Sequence, residues 1–420
     1  MGYNKIMDIN GKTDRSLITK TKKHGFFYGY IIVLSSFLIL MIAWGAQYSF
    51  GIFFKPMLRD FGFSRAVLSG AYSINLIVQA IACIIIGKLN DKYGPRLVVS
   101  VCGTFLGISY LLMSQVQLLW QIYILFGVLA SIGITGTWLP LLSTIARWFV
   151  FRRGLMTGIA AAGIGVGIMI LPPLISYSIS CFGWRTSYVI IGMAVIILII
   201  SSAQMLKRDP SQVGLSALGM SEQHENICSS FTFSEALHTR QFWFLGGFYF
   251  LMGICVHSVL VHLVPYATDV GIAEVTAATI ISVVGGGSIV SKVLVGMMAD
   301  RWGNKPVTLV IASFMLISFI IIQYSDALWA FYIFAVIFAF AYGGFAAIQS
   351  PYVAEIFGLK HHGTIFGFIL FILNLGAFGP FVAGKIFDAT SSYDLAFIML
   401  AVLSFMAILF AYRIKKNIRP

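Results

Sequence analysis

Over 420 residues the chain is 59% hydrophobic and 10% charged, with a mean hydropathy of +0.91; a soluble domain carries about a quarter charged residues, so an ordinary soluble enzyme or binding module is excluded. The formal net charge of +13 does not point to nucleic acid, because the bases are segregated into alternate loops between apolar runs, the pattern of positive segments that resist translocation. Five cysteines, Cys83, Cys102, Cys181, Cys228 and Cys255, show no paired spacing, which predicts neither disulfide nor metal site.

In chain order, residues 1–26 are polar and basic, and the apolar run after them is too long for a cleavable signal of about 7 to 15 apolar residues. They read as a disordered cytoplasmic tail. Since a span needs about 20 apolar residues, twelve spans are predicted: 27–54, 66–86, 97–115, 118–145, 155–179, 187–205, 242–267, 275–298, 307–324, 328–353, 364–386 and 395–412. A transmembrane barrel would instead alternate apolar and polar over about ten residues. The fold expected is an all-α membrane protein of two pseudo-symmetric six-helix bundles, 27–206 and 241–412. They are joined by a cytoplasmic linker at 207–240, with a tail at 413–420. Within the linker, Thr232 to Leu237 suits a short surface helix. All but six of the 28 lysines and arginines, the exceptions being Lys55, Arg59, Arg65, Arg185, Lys292 and Lys385, fall in the tails and the even-numbered loops. Both termini are therefore expected on the cytoplasmic side of a plasma (inner) membrane.

The loop after the second span recurs after the eighth. Gly87, Asp91, Lys92, Gly94 and Arg96 return as Gly296, Asp300, Arg301, Gly303 and Lys305 at identical spacing. Arg147, Arg152, Arg153, Gly154 and Gly158 are answered, after a one-residue shift, by Glu355, Lys360, Gly363 and Gly367. In each repeat a glycine permits a tight helix end and the aspartate is placed to accept backbone donors or pair with a base. These residues predict a cytoplasmic gate, with Arg147, Arg152, Arg153 and Glu355 as partners of the aspartates. A duplicated bundle points to alternating access.

The loop motif in both halves resembles the signature of the major facilitator superfamily. Phe53, Phe54 and Lys55, then Phe63 to Ala66, Arg147 to Phe149, Gly183 to Arg185, His262 to Pro265 and Asp269 to Gly271 are similar to its monocarboxylate transporter and oxalate:formate antiporter branch, over about 27 to 412. The resemblance implies a substrate-binding cation on the eighth helix, at the position of Lys292.

An ionisable side chain inside a span is a functional candidate by default. Lys292 lies about 12 Å up its helix from Asp300, and Gly285, Ser288, Lys292 and Gly296 share one small, polar stripe that suits a protein-facing or cavity-facing side. The other reading of Lys292 is a side chain that snorkels to the surface. Uncharged candidates for the cavity are Gln47 and Tyr48 on the first helix, Asn75 on the second, Trp138 on the fourth, Tyr342 on the tenth, and Phe371 and Asn374 on the eleventh. Each is equally suited to joining helices. Relatives pair the eighth-helix cation with an aspartate one turn earlier and a first-helix lysine, where this chain has Ser288 and Tyr48. The second cation of the oxalate antiporter is missing near Phe371 and Asn374. One cation suits one carboxylate. His262 and Asp269, two turns apart on one face of the seventh helix, suit a proton relay.

The expectation is a monomeric secondary transporter, without cofactor or metal, that moves a small monocarboxylate such as lactate or pyruvate with a proton. The alternatives are carboxylate exchange of the oxalate:formate type and, from another class, a transporter-like receptor. An enzyme is disfavoured because no nucleophile, metal cluster or cofactor loop stands out.

Overall fold

The computed structural model describes residues 27–61, 65–219, 231–323 and 327–415. The 1–26 tail, the middle of the linker and residues 416–420 lie outside the described residues. Where an apolar run exceeds the thickness of a bilayer, the backbone must satisfy its own hydrogen bonds, and helix is the solution available to an open chain. In order the helices are α1 (Gly29–Tyr48), α2 (Phe50–Phe61), α3 (Arg65–Tyr93), α4 (Pro95–Met113), α5 (Leu119–Ile122) with a π segment at Tyr123–Leu129, α6 (Ala130–Trp148) and α7 (Arg153–Gln204). After the linker come α8 (Phe233–Leu237), α9 (Arg240–Asp269), α10 (Glu274–Trp302), α11 (Asn304–Gln323), α12 (Leu328–Phe357), α13 (His362–Leu375), α14 (Gly379–Thr390) and α15 (Asp394–Arg413).

Among the described residues 11 helical stretches are long and apolar enough to cross a membrane, and one of them, the 52-residue α7, comprises two crossings. Gly183 at φ +77° divides it into 153–182 and 184–204, a conformation that L side chains rarely adopt. Twelve crossing segments result. The duplication is visible in the backbone: Gly94 and Gly303, equivalent in the two repeats, take φ values of 83° and 88°, each just before a new helix. The helices outrun the expected spans, α3 continuing to Tyr93 and α10 to Trp302. Their motif residues lie at the membrane edge, where charge can be solvated without ending the helical ladder.

Each set of helices carries its own large apolar core, though Cys83, Leu139 and Leu142 of the first pack into the core of the second. The π segment frees backbone carbonyls from regular bonding. Asn75 Nδ2 donates to the carbonyl of Phe126 at 2.7 Å and Ser109 Oγ to that of Leu125 at 2.7 Å. The expected short helix in the linker is α8, where Thr232 and Glu235 form a reciprocal capping box.

Tyr28 Oη donates to the carbonyl of Met205, and the Lys415 N–H to Gln241 Oε1. Both described ends of the chain therefore lie on the face that carries the repeated loops, called here the basic face. Between the halves, α7 packs on α10 and α3 on α13.

Candidate functional site

At the basic face the two repeated aspartates reach across to the opposite half. Asp91 at the end of α3 accepts the backbone N–H of Gly363 at 3.0 Å and of Thr364 at 2.7 Å, together with the Thr364 hydroxyl at 2.8 Å. Asp300 at the end of α10 accepts those of Gly154 at 2.7 Å and Leu155 at 2.8 Å. The first N–H groups of a helix have no partner within it and carry its positive dipole end. Each carboxylate thus caps a helix of the other half, α13 or α7. The caps require close approach: a methyl on Gly363 would stand 2.6 Å from Asp91 Oδ1, and one on Gly87 would collide with the carbonyl of Gly363.

Arg147 stands 3.5 Å from Asp91 and 3.4 Å from Asp209 of the linker, and the charges of Arg153 and Arg152 act on Asp300. Three expectations need correction. Glu355 accepts from Asn304 Nδ2 at 2.6 Å within its own half and touches neither aspartate. Arg96 donates to Gln204 Oε1 at 2.9 Å, away from the seam, and Arg301 is exposed. His362 was missed. Fully buried, its Nδ1 meets Ser143 Oγ of the other half at 3.0 Å and its Nε2 the carbonyl of Ser350 at 3.1 Å. Its signal was its place just before Gly363 in the repeated motif.

Beyond mid-depth the close packing passes from backbone contact to side-chain contact, as where Gly165 meets Ile289. A methyl on Gly158 of α7 would lie 2.9 Å from the carbonyl carbon of Lys292, whereas Gly285 and Gly286, two turns nearer the opposite face, have nothing within 4 Å. Lys292 sits where the backbone-to-backbone contact of the seam ends. Its side chain is 2% exposed, Nζ lies 3.4 Å from Ser288 Oγ and 5.8 Å from the centroid of Tyr342. Among the described residues no ion pair joins it to a carboxylate. It does not snorkel.

Aromatic rings extend from this cation into the first half. Tyr342 and Tyr48 interact across the halves, Tyr48 packs on Trp44, and Trp44 meets Trp138 edge-on at 5.9 Å. Tyr72 is close enough to act electrostatically on both tyrosines. Trp44 and Tyr72 were not singled out in the sequence, although Trp44 stands one turn before Tyr48. Gln47 instead joins helices: its Nε2 donates to Asn75 Oδ1 at 2.8 Å. Asn374 donates to Cys83 Sγ at 3.7 Å, which places it on the α3–α13 seam, whereas Phe371 packs on Phe368 of its own helix.

His262 and Asp269 are not brought into contact. The imidazole meets Tyr393 Oη at 3.1 Å and the carbonyl of Pro380 at 2.9 Å, while Asp269 is exposed at the end of α9. Tyr393 stands between them, within electrostatic reach of Asp269.

Two helical bundles meeting at a buried, unpaired cation, shut by reciprocal caps on one side, define a membrane transporter of the two-bundle kind. The family model of the Major Facilitator Superfamily matches residues 36–322 and 244–420, and the chain belongs to that superfamily. It is 26% identical to monocarboxylate transporter 11 of Homo sapiens over 89% of this chain and 80% of that one. It is also 26% identical to the oxalate:formate antiporter of Oxalobacter formigenes, over 90% and 89%. Among solved structures it resembles a proton:xylose symporter, with a TM-score of 0.77 at 13% identity over 93% of this chain and 96% of that chain. A human organic anion transporter gives 0.74 at 14% identity over 91% and 99%.

Proposed function

We propose that this transporter carries a small monocarboxylate of the lactate or pyruvate kind by alternating access, together with a proton, as a monomer in the plasma (inner) membrane with both termini cytoplasmic. Lys292 carries the reading. A buried ammonium without a counter-charge costs several kcal/mol, and a carboxylate entering above it would offset that cost while its short chain packs among Tyr342, Tyr48 and Trp138. If the basic face is cytoplasmic, the caps of Asp91 and Asp300 shut the cytoplasmic side and leave the site reachable from outside. The similarity to monocarboxylate transporters and to the antiporter supports the substrate class. The test is uptake of labelled lactate, pyruvate, formate and oxalate into proteoliposomes, with Lys292→Gln beside the native protein. Loss of the partner charge should weaken binding by about two orders of magnitude or more. Unaltered affinity in a folded Lys292→Gln protein would place the site elsewhere.

Exchange without net proton movement is the second reading. It is favoured by Ser288, which occupies the turn before Lys292 where relatives carry an acid. Counterflow that persists with the pH gradient collapsed, alongside loss of gradient-driven uptake, would select it.

A further inference from the structure

A cavity of about 540 Å³ opens on the basic face between the start of α4 and the end of α7, away from the seam between halves. Four bases line it, Lys92, Arg96, Lys207 and Arg208, and its lining includes no acid. The carboxylate beside it, Asp209, is shared between Arg208 at 3.5 Å and Arg147 at 3.4 Å. Arg96 is held by a neutral partner, Gln204, whose amide is braced in turn by Ser100 Oγ at 3.4 Å and the carbonyl of Ile200 at 3.2 Å. The guanidinium is therefore positioned with its charge uncompensated.

The cavity adjoins an exposed apolar surface. Below Arg96, Leu97 and Val101 line the cavity and are 54% and 45% exposed, and the exposed face of α4 continues one turn further to Phe105. Across from it Ile197 and Met193 of α7 are 59% and 47% exposed. The second repeat lacks this arrangement: Lys305, equivalent to Arg96, stacks on Tyr412 at 5.5 Å.

We propose that this cavity binds the phosphate of an anionic phospholipid whose acyl chains lie along the exposed apolar faces of α4 and α7. Bases clustered at a membrane edge attract anionic headgroups, each contributing about 1 kcal/mol. A soluble phosphate would meet the same bases but leave the apolar faces uncovered, and a lipid without net charge would leave the bases uncompensated.

Native mass spectrometry of the full-length protein tests this with phosphatidylglycerol, phosphatidylcholine of the same chains, and soluble glycerol 3-phosphate. Phosphatidylglycerol should bind more tightly than either. The Lys207→Gln/Arg208→Gln protein should lose about 30-fold in its affinity, while Lys305→Gln, which removes a base on the same face, should leave it unchanged. Should the double variant melt early, Arg96→Gln tests another wall of the cavity, with an expected loss of about fivefold. Equal binding of both lipids, equal loss in Lys305→Gln, or glycerol 3-phosphate competing at the lipid's own concentration would each overturn the assignment.

Discussion

The contact beneath Gly158 offers a way to move the conformational equilibrium without touching any charge. In Gly158→Ala the new methyl would stand 2.9 Å from the Lys292 carbonyl carbon, and closer to its oxygen, where ordinary contact begins at 3.4 Å. Both are backbone atoms and cannot rotate away, so α7 and α10 must part by at least the 0.5 Å between those two distances. Overpacking of this kind costs about 1 to 3 kcal/mol, and it falls on the conformer whose basic face is shut. Taking about 2 kcal/mol, the equilibrium should move about 30-fold toward opening at that face. Cys83, 4% exposed on the α3–α13 seam, is a native reporter once the other cysteines are replaced. Its alkylation by a reagent applied to the basic face should quicken by up to the same factor. Gly285→Ala, with open space around it, should leave the rate unchanged. An unaltered Cys83 rate in a folded Gly158→Ala protein would refute the reasoning.

Asp91→Asn and Asp300→Asn each leave one carbonyl oxygen where a carboxylate held two backbone donors. Each should lose on the order of 1.5 to 3 kcal/mol of closure, slowing turnover while substrate binding persists; normal turnover in both would reduce the motif to a topology signal. A cysteine at exposed Ser216 should resist an impermeant reagent in intact cells and react in inverted vesicles, and labelling of intact cells would reverse the proposed orientation. At the opposite face, the Trp184 indole N–H and the Arg185 guanidinium bond Asp60 and hold its carboxyl below the usual range. This stabilisation is present above the unfolded carboxyl pKa of about 3.9 and is lost as pH falls through the lower folded value. Asp60→Asn should therefore flatten the acid limb of a thermal-unfolding series, an effect kept small by exposure; matching curves would assign the acid limb to other groups.

The fold and the cross-half contacts of the two aspartates were legible because both rest on patterns that repeat. Apolar runs of bilayer length dictate helices, and two copies of one glycine–aspartate spacing marked Asp91 and Asp300 as equivalent. Partners were harder to read. Glu355 occupies the place of a base in the other repeat, and its nearest donor is Asn304 of its own half. The spacing of His262 and Asp269 gave a shared face, but seven residues of helix are about 10 Å, too far for a bond, and the imidazole had neutral partners from α14 and the start of α15. For Gln47 the cavity and helix-joining readings stayed equal, because the sequence does not reveal that Asn75 stands opposite. Trp44 and Tyr72 carry no contrast in a chain with 15% aromatic residues, and they emerge when helices from both halves are placed together.

Lys292 holds two positions at once: its carbonyl backs the contact under Gly158, and its ammonium lies at the ring of Tyr342. If the halves rock as proposed, the residue would, in mechanical terms, sit near the fulcrum of that motion. A pull on the ammonium acts near that axis and exerts little torque, whereas the Tyr48–Tyr342 link joins the two arms directly. The proposed ligand would thus gain its anchorage from the lysine and its leverage from the tyrosines. An anion that reaches the charge but displaces neither hydroxyl would occupy the site and leave the arms where they stand, which is the behaviour of an inhibitor.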